Sequence, residues 1–174
     1  MATKTLSNDF MQRIADDGAW KELSNELSWT EVLLEKYQDK IDWQGLSENI
    51  HMLWTVPMLQ KFKHRINWDK LSRCADENTL TDNCIETFKE KWNWSELSGN
   101  SSINAQLLEK FADKWDWELV INSYYRNNLF SNVSAIEFYE RYKEYIPAAK
   151  LQGSSLWTCI VEQRKTQILS EITA

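Results

Sequence analysis

Three side chains of metal-binding type lie ten residues apart along the chain: His64, Cys74 and Cys84. Zinc sites instead use closely spaced ligand pairs such as CxxC or HxxxH, and the sequence contains neither pair. Cys84 also occupies a helix position that is apolar in equivalent segments, which favours a place in the core. We therefore predict no metal site and no cofactor.

Nucleophilic catalysis needs a base beside a Ser or Cys side chain. The chain has two histidines, and His64 lies among Lys and Arg residues while His51 lies in a connection of variable length. No glycine-rich phosphate loop is present, and Glu35, Glu86 and Glu109 fit a solvated helix face. The sequence predicts that the protein is not an enzyme.

A run of basic residues occupies positions 61–73. Its members are Lys61, Lys63, Arg65, Lys70 and Arg73, offset by Asp69. Such a run is most simply a solvated helix face, but it is also typical of a patch that binds an acidic protein or an RNA backbone. Acidic residues follow at once and would interrupt a long nucleic-acid track.

Five of the six tyrosines lie between positions 124 and 145. Tyrosine and arginine are enriched at interface hot spots, so the segment indicates either the core of divergent repeats or a contact surface. We name Tyr124, Tyr125, Arg126 and Asn128 as candidate partner-binding residues, because their segment is the longest connection in the chain. Lys61, Lys63 and Arg65 are candidate extensions of that surface.

These residues are positioned by a segment that recurs along the chain. Each copy begins with a residue suited to cap a helix and ends 13 residues later in Trp. Apolar residues before the cap and four after it form a hydrophobic staple in every copy. The copies begin at Ser7, Thr30, Thr55, Thr81 and Asn104, and a partial copy begins at Ser134.

A second, shorter helix is predicted to follow each of the regular copies. It begins at an Asp or Asn before the closing Trp and usually ends in Leu-Ser. The 13-residue unit has constant length, whereas the connection to the next cap varies, so length variation lies at one edge of the array. The closing residues Trp43, Trp68, Trp94 and Trp117 are predicted to be largely buried.

The sequence thus predicts an all-α fold, an α-solenoid of about six short two-helix repeats with a period of 23–30 residues. Residues 1–174 form one domain in this prediction: an N-terminal cap (1–20), regular repeats (20–117), and a divergent repeat with a C-terminal capping helix (118–174). That helix is expected from about Leu156 to about Ser170.

Composition bears on the compartment. The odd number of cysteines (three), the lack of an apolar leader and the lack of a long apolar run favour a cytoplasmic protein with no membrane contact. A formal net charge of −6 disfavours broad binding to nucleic acid or anionic membranes.

The regular pattern resembles a Trp-rich short α-helical repeat of uncharacterised bacterial proteins, largely from Bacteroidetes and their mobile elements. It is clearest at Leu46-Ser47, at Trp54-Thr55 and in the run KWDW that ends at Trp117, and it covers about two-thirds of the chain. The resemblance implies an α-solenoid and supplies no catalytic residues. The pattern is lost after Trp117.

Two functions remain open. The favoured one is a non-catalytic protein-binding module, because solenoids present extended surfaces. Size and the mobile-element resemblance suggest one form of it, a stoichiometric inhibitor of a host defence complex such as a CRISPR effector, whose partner is a nucleoprotein. The alternative is an RNA-binding helical-repeat protein that uses the basic segment 61–73.

Overall fold

A computed structural model describes residues 8–124 and 133–173, and within these ranges it contains twelve α-helices and no β-strand. The chain divides into two compact units, Met1–Thr87 and Phe88–Ala174. The first unit contains α1 (Asn8–Glu26), α2 (Glu31–Tyr37), α3 (Trp43–Ser47), α4 (Val56–Phe62), α5 (Trp68–Cys74) and α6 (Asp82–Thr87). The second contains α7 (Trp94–Ser98), α8 (Ala105–Lys110), α9 (Trp117–Asn122), α10 (Ala135–Tyr142), α11 (Ala148–Leu151) and α12 (Ser155–Thr173).

Short helices alternate as the repeat predicts, and the all-α prediction is confirmed. In the first unit α3 packs on α1 and on α5, and α4 packs on α6. In the second unit α9 packs on α7, α11 and α12, and α10 packs on α12. The boundary between the units falls inside one sequence copy, residues 81–94.

The helix starts lie where the capping residues predict them. Thr55 accepts a hydrogen bond from the Met58 amide, and Asn104 accepts one from the Leu107 amide. Ser134 and Glu137 form a reciprocal capping box at the start of α10. Each cap satisfies an amide that the first helical turn leaves without a partner.

The first copy differs from the others because it forms a single helix. Residues 8–26 run as α1 without a break, so the segment that closes at Trp20 and the residues after it share one helix. In later copies an Asp or Asn before the closing Trp ends the turn and caps the next helix. The first copy has Ala19 at that position, so no side chain competes for the backbone and the helix continues through Trp20.

Three serines of Leu-Ser pairs each connect one copy to the next. Ser24, Ser47 and Ser98 are buried, and each hydroxyl donates to the carbonyl four residues earlier, at 2.6–2.7 Å. The oxygen also accepts the backbone N–H of a cap residue in the following copy. Those pairs are Asp42 to Ser24 at 3.0 Å, Asn67 to Ser47 at 2.9 Å and Asp116 to Ser98 at 2.8 Å.

The tryptophans fall into two groups. Trp117 is buried as predicted, but the closing residues Trp43, Trp68 and Trp94 are only half-buried. All four closing indole N–H groups donate to a carbonyl five residues earlier, at 2.8–3.1 Å, so this bond does not decide the burial. Trp117 is covered in addition by three aromatic rings, those of Phe138, Tyr142 and Tyr145. The more deeply buried indoles precede the caps or lie two residues before the closing Trp. They are Trp29, Trp54, Trp92 and Trp115.

Candidate interaction surface

The basic segment is paired with carboxylates of the preceding copy. Lys61 forms ion pairs with Glu31, at 3.1 Å, and with Glu35. Arg65 contacts Asp39 at 3.1 Å and also donates to the Gln38 carbonyl. The side chains therefore link adjacent copies, and their charges are largely compensated locally.

The second half of the basic segment follows the same rule. Lys70 pairs with Glu48 at 2.7 Å, and Arg73 lies 3.9 Å from the other oxygen of that carboxylate. Lys63 is half-buried, and its backbone carbonyl accepts the Trp68 indole N–H at 3.0 Å. These paired carboxylates reduce the positive field that the segment presents to a polyanion.

Two of the half-exposed tryptophan rings are covered by cations. The Lys40 ammonium lies 5.3 Å from the Trp20 ring centroid, and the Arg65 guanidinium lies 5.8 Å from that of Trp43. Each cation comes from the copy after the one that supplies the ring. Single-stranded RNA binding relies on free aromatic faces for base stacking, and these faces are occupied.

The tyrosine-rich segment is divided between core and surface. Tyr124 is buried, its ring lies 5.1 Å from that of Phe138, and its hydroxyl donates to the Val133 carbonyl at 3.3 Å. Burial, with a smaller effect of Cys159, raises the pKa of Tyr124 to about 12. Tyr142 is also buried, and burial raises its pKa. Tyr124 therefore offers a partner little surface.

The other candidates of this segment cannot be placed in the same way. Tyr125, Arg126 and Asn128 lie outside the described residues. Tyr145 is exposed and stacks on Trp117, with the ring centroids 5.5 Å apart. The proposal that Tyr125, Arg126 and Asn128 bind a partner thus stays a prediction.

Exposed apolar side chains lie on the first two variable connections, and we call them the connection patch. Its members are Leu27, Ile50 and Leu53, whose exposed fractions are 45%, 74% and 62%. Asn49 joins the two connections, because its buried amide donates to the carbonyls of Ser24 and Leu27, each at 2.8 Å.

Two further features define the surroundings of the connection patch. The Trp29 amide donates to the sulfur of Met52 at 3.3 Å, which fixes residues 48–54 against the end of α1. On α1 the exposed Leu23 lies one turn before Leu27, and the exposed carboxylates Glu22 and Glu26 flank these two leucines. The patch is therefore apolar with acidic side chains beside it.

The backbone geometry of this connection does not require apolar side chains. The Asn49 side chain accepts the N–H of His51 at 2.8 Å, and Asn100 accepts the N–H of Ser102 at 2.7 Å in the same way. In the second of these turns Ser101 stands where the first has Ile50. Sequence reasoning missed the patch, although apolar residues in a variable connection were a visible indication.

The groups that could carry chemistry are dispersed. Within residues 8–124 and 133–173, no three His, Cys, Asp or Glu side chains are arranged to hold a metal ion. Cys84 is buried, and burial raises the pKa of its thiol to about 12, which suppresses the nucleophilic thiolate. None of the helices in the described part of the chain is long and apolar enough to cross a membrane.

No family model, no curated protein and no solved structure matches this chain.

Proposed function

We propose that this protein is a non-catalytic protein-binding module whose connection patch receives an apolar anchor of a partner protein. The observation that carries the proposal is the exposure of Ile50 and Leu53 on a connection whose counterpart at Asn100 is formed with serines. Folding does not explain these side chains, whereas adjacent exposed apolar residues are typical of interaction sites.

The surroundings of the patch specify the chemistry of the partner. Glu22 and Glu26 lie beside the apolar side chains, and the whole chain carries a formal net charge of −6. The complementary surface is an apolar side chain flanked by Lys or Arg, because opposite charges around an apolar centre speed association and fix the register.

Nucleic-acid-handling enzymes carry such basic surfaces. A stoichiometric inhibitor of a nucleoprotein complex, such as a CRISPR effector, is therefore one form that we propose for this function. An acidic repeat protein with an apolar anchor site would compete there with the nucleic acid for a basic surface.

The alternative of direct RNA binding is less well supported. Its phosphate-binding cations, Lys61 and Arg65, are paired with Glu31, Glu35 and Asp39. Charge reversal by Lys63→Glu with Arg65→Glu distinguishes the two functions. An RNA-binding protein should lose affinity and much of its salt dependence, whereas a module that binds through the connection patch should keep its partner.

The decisive experiment compares Ile50→Ser with Leu53→Ser against a matched control on α1, Met11→Ser with Ile14→Ser. The control side chains are 50% and 51% exposed, so the control also removes two exposed apolar side chains, away from the patch. After capture from the native host and nuclease treatment, binding constants are measured for the captured protein. We expect the patch variant to bind at least about tenfold more weakly, since truncating one hot-spot side chain costs about 2 kcal/mol or more.

Two outcomes would reject the proposal. One is equal binding by the patch variant, the control and the wild type. The other is a captured partner that disappears on nuclease treatment, which would favour RNA. If the protein partner remains and the patch variant binds it normally, Tyr125→Ala with Arg126→Ala tests the surface predicted from sequence.

A further inference from the structure

The C-terminal helix α12 has two apolar faces, of which one is packed. Leu156 is buried, and Cys159, Ile160 and Gln163 are half-buried on the face toward α9 and α10. The Ser155 hydroxyl donates to the carbonyls of Ile121 and Asn122, at 2.9 and 2.8 Å, and this anchors the start of the helix. The first half of α12 thus belongs to the core of the second unit.

The opposite face carries an exposed apolar stripe, which we call the outer stripe. It consists of Val161, Ile168, Leu169 and Ile172. The last three have exposed fractions of 41%, 60% and 74%. With 100° per residue, these positions lie on the side of the helix away from Leu156 and Ile160. The exposed Lys165 lies among them and pairs with Glu162 at 3.1 Å, so the stripe is apolar around one ion-paired cation. The stripe is therefore a second face and does not continue the packed one.

In the second half of α12, the inner face does not offer an apolar core in place of the outer stripe. Beyond Gln163 it carries Thr166, Gln167 and Ser170, all exposed. A cavity of about 720 Å³ opens there between α10 and α12, lined by Ile136, Glu137, Glu162, Gln163 and Thr166 among others. Residues 164–173 are helical although every one is exposed. A segment of this length holds helical structure poorly without packing.

Charges beside the outer stripe indicate what covers it. Arg164 and Glu171 are seven residues apart, so they lie on the same flank of the helix. When two identical helices pair antiparallel, equal flanks face each other and the order of residues reverses. Arg164 of each copy then lies opposite Glu171 of the other, with Ile168 of both copies next to the symmetry axis.

We propose that the chain self-associates through the outer stripe, α12 packing antiparallel against α12 of a second copy about a two-fold axis near Ile168. The contact is isologous, as is usual for homodimers. Four apolar side chains from each copy bury less than the roughly 800 Å² per partner of a standard interface. We therefore expect a weak, reversible dimer whose population rises with protein concentration.

Sedimentation equilibrium of the full chain over a range of concentrations tests the association. The wild type should change from monomer to dimer as concentration rises. Ile168→Glu places two like charges at the axis and should raise the dissociation constant at least tenfold. The control is Ile14→Glu on α1, which has a similarly exposed side chain and should leave the association unchanged.

Charge exchange tests the antiparallel arrangement. Arg164→Glu alone and Glu171→Arg alone each oppose like charges in a self-pair, so each should weaken association about fivefold. An equal mixture of the two variants should associate like the wild type, because the pairs across the axis are again complementary. The double exchange R164E/E171R should also restore association, whereas a parallel pair would gain nothing from it.

The proposal is overturned if the wild type stays monomeric at every concentration. It is also overturned if Ile168→Glu dimerises like the wild type, or if R164E/E171R is as weak as the single variants. All these side chains are exposed, so thermal melting should show that each variant folds as the wild type does.

Discussion

The hydroxyl oxygen of Ser47 accepts the backbone N–H of Asn67 at 2.9 Å while its own proton goes to the Trp43 carbonyl at 2.6 Å. One buried side chain thereby ends a helix in one copy and holds the start of a helix in the next. The spacing along the chain is 20 residues here and 18 between Ser24 and Asp42. The longer connection that contains Asn49 accommodates the two additional residues.

Replacing Ser47 by Ala should lower the free energy of unfolding by about 1–3 kcal/mol, because the Asn67 N–H loses its partner in a partly buried site. Chemical denaturation with two probes measures this change. The control is Ser28→Ala at an exposed serine, for which a change within about 0.5 kcal/mol is expected. Equal stability of the two variants would mean that the serine hydroxyl does not hold the next copy.

The closing tryptophans should differ in their contribution to stability. Trp117 is buried and its ring lies 5.0 Å from that of Tyr142, so Trp117→Ala should cost about 3–5 kcal/mol. Trp43 is half-buried, lies 5.2 Å from Phe62 and should cost less, about 1–3 kcal/mol. Thermal melting of both variants shows which substitution lowers the stability more. A larger loss at Trp43 would contradict the burial found here.

Cys84 should resist alkylation in the folded protein. Its side chain is buried and its thiol pKa is about 12, whereas Cys74 and Cys159 are half-exposed. At pH 8 iodoacetamide should modify Cys84 at least about 100-fold more slowly than the other two thiols. Mass spectrometry of timed samples measures each site, and denaturant should remove the difference. Rapid labelling of native Cys84 would show that this part of the core opens readily.

Stability should fall in alkaline solution partly because of Tyr124. Its pKa is about 12 in the folded protein, above the ordinary value of 10.0, so folding favours the protonated phenol. The stabilising contribution is complete below pH 10 and is lost as the pH rises toward 12. Tyr124→Phe should therefore reduce the slope of unfolding free energy against pH in this window. Parallel curves for the variant and the wild type would disprove the assignment.

The helix starts were predictable from sequence because capping and staples act over a few residues. The continuous helix of the first copy was indicated only by Ala19, which occupies the position where later copies have Asp or Asn. The pairing of Lys61 with Glu31 and of Arg65 with Asp39 was not predictable, since the partners are 30 and 26 residues apart. Counting charges along the chain consequently overestimated the net positive charge that the basic segment presents.

The connection patch depends on a tertiary contact as well. The connections that carry Leu27 and Ile50 are joined because the Asn49 side chain donates to the Leu27 carbonyl, 22 residues earlier. The sequence places Asn49 just after a Leu-Ser pair, and the bond from its side chain to the Leu27 carbonyl is visible only in three dimensions. The outer stripe was similarly hidden, since helical spacing identifies apolar faces but does not tell which one the core uses.

The serine connection has a consequence for how such a chain can change in length. A complete copy contains one acceptor for the copy that follows and one backbone donor for the copy that precedes it. Duplication or deletion of a whole copy therefore leaves no buried amide without an acceptor. A duplication or deletion that begins at another point within a copy would leave a buried amide without an acceptor, at a cost of about 1–3 kcal/mol. Recombination in register is thus the route by which relatives of different length would arise from this architecture.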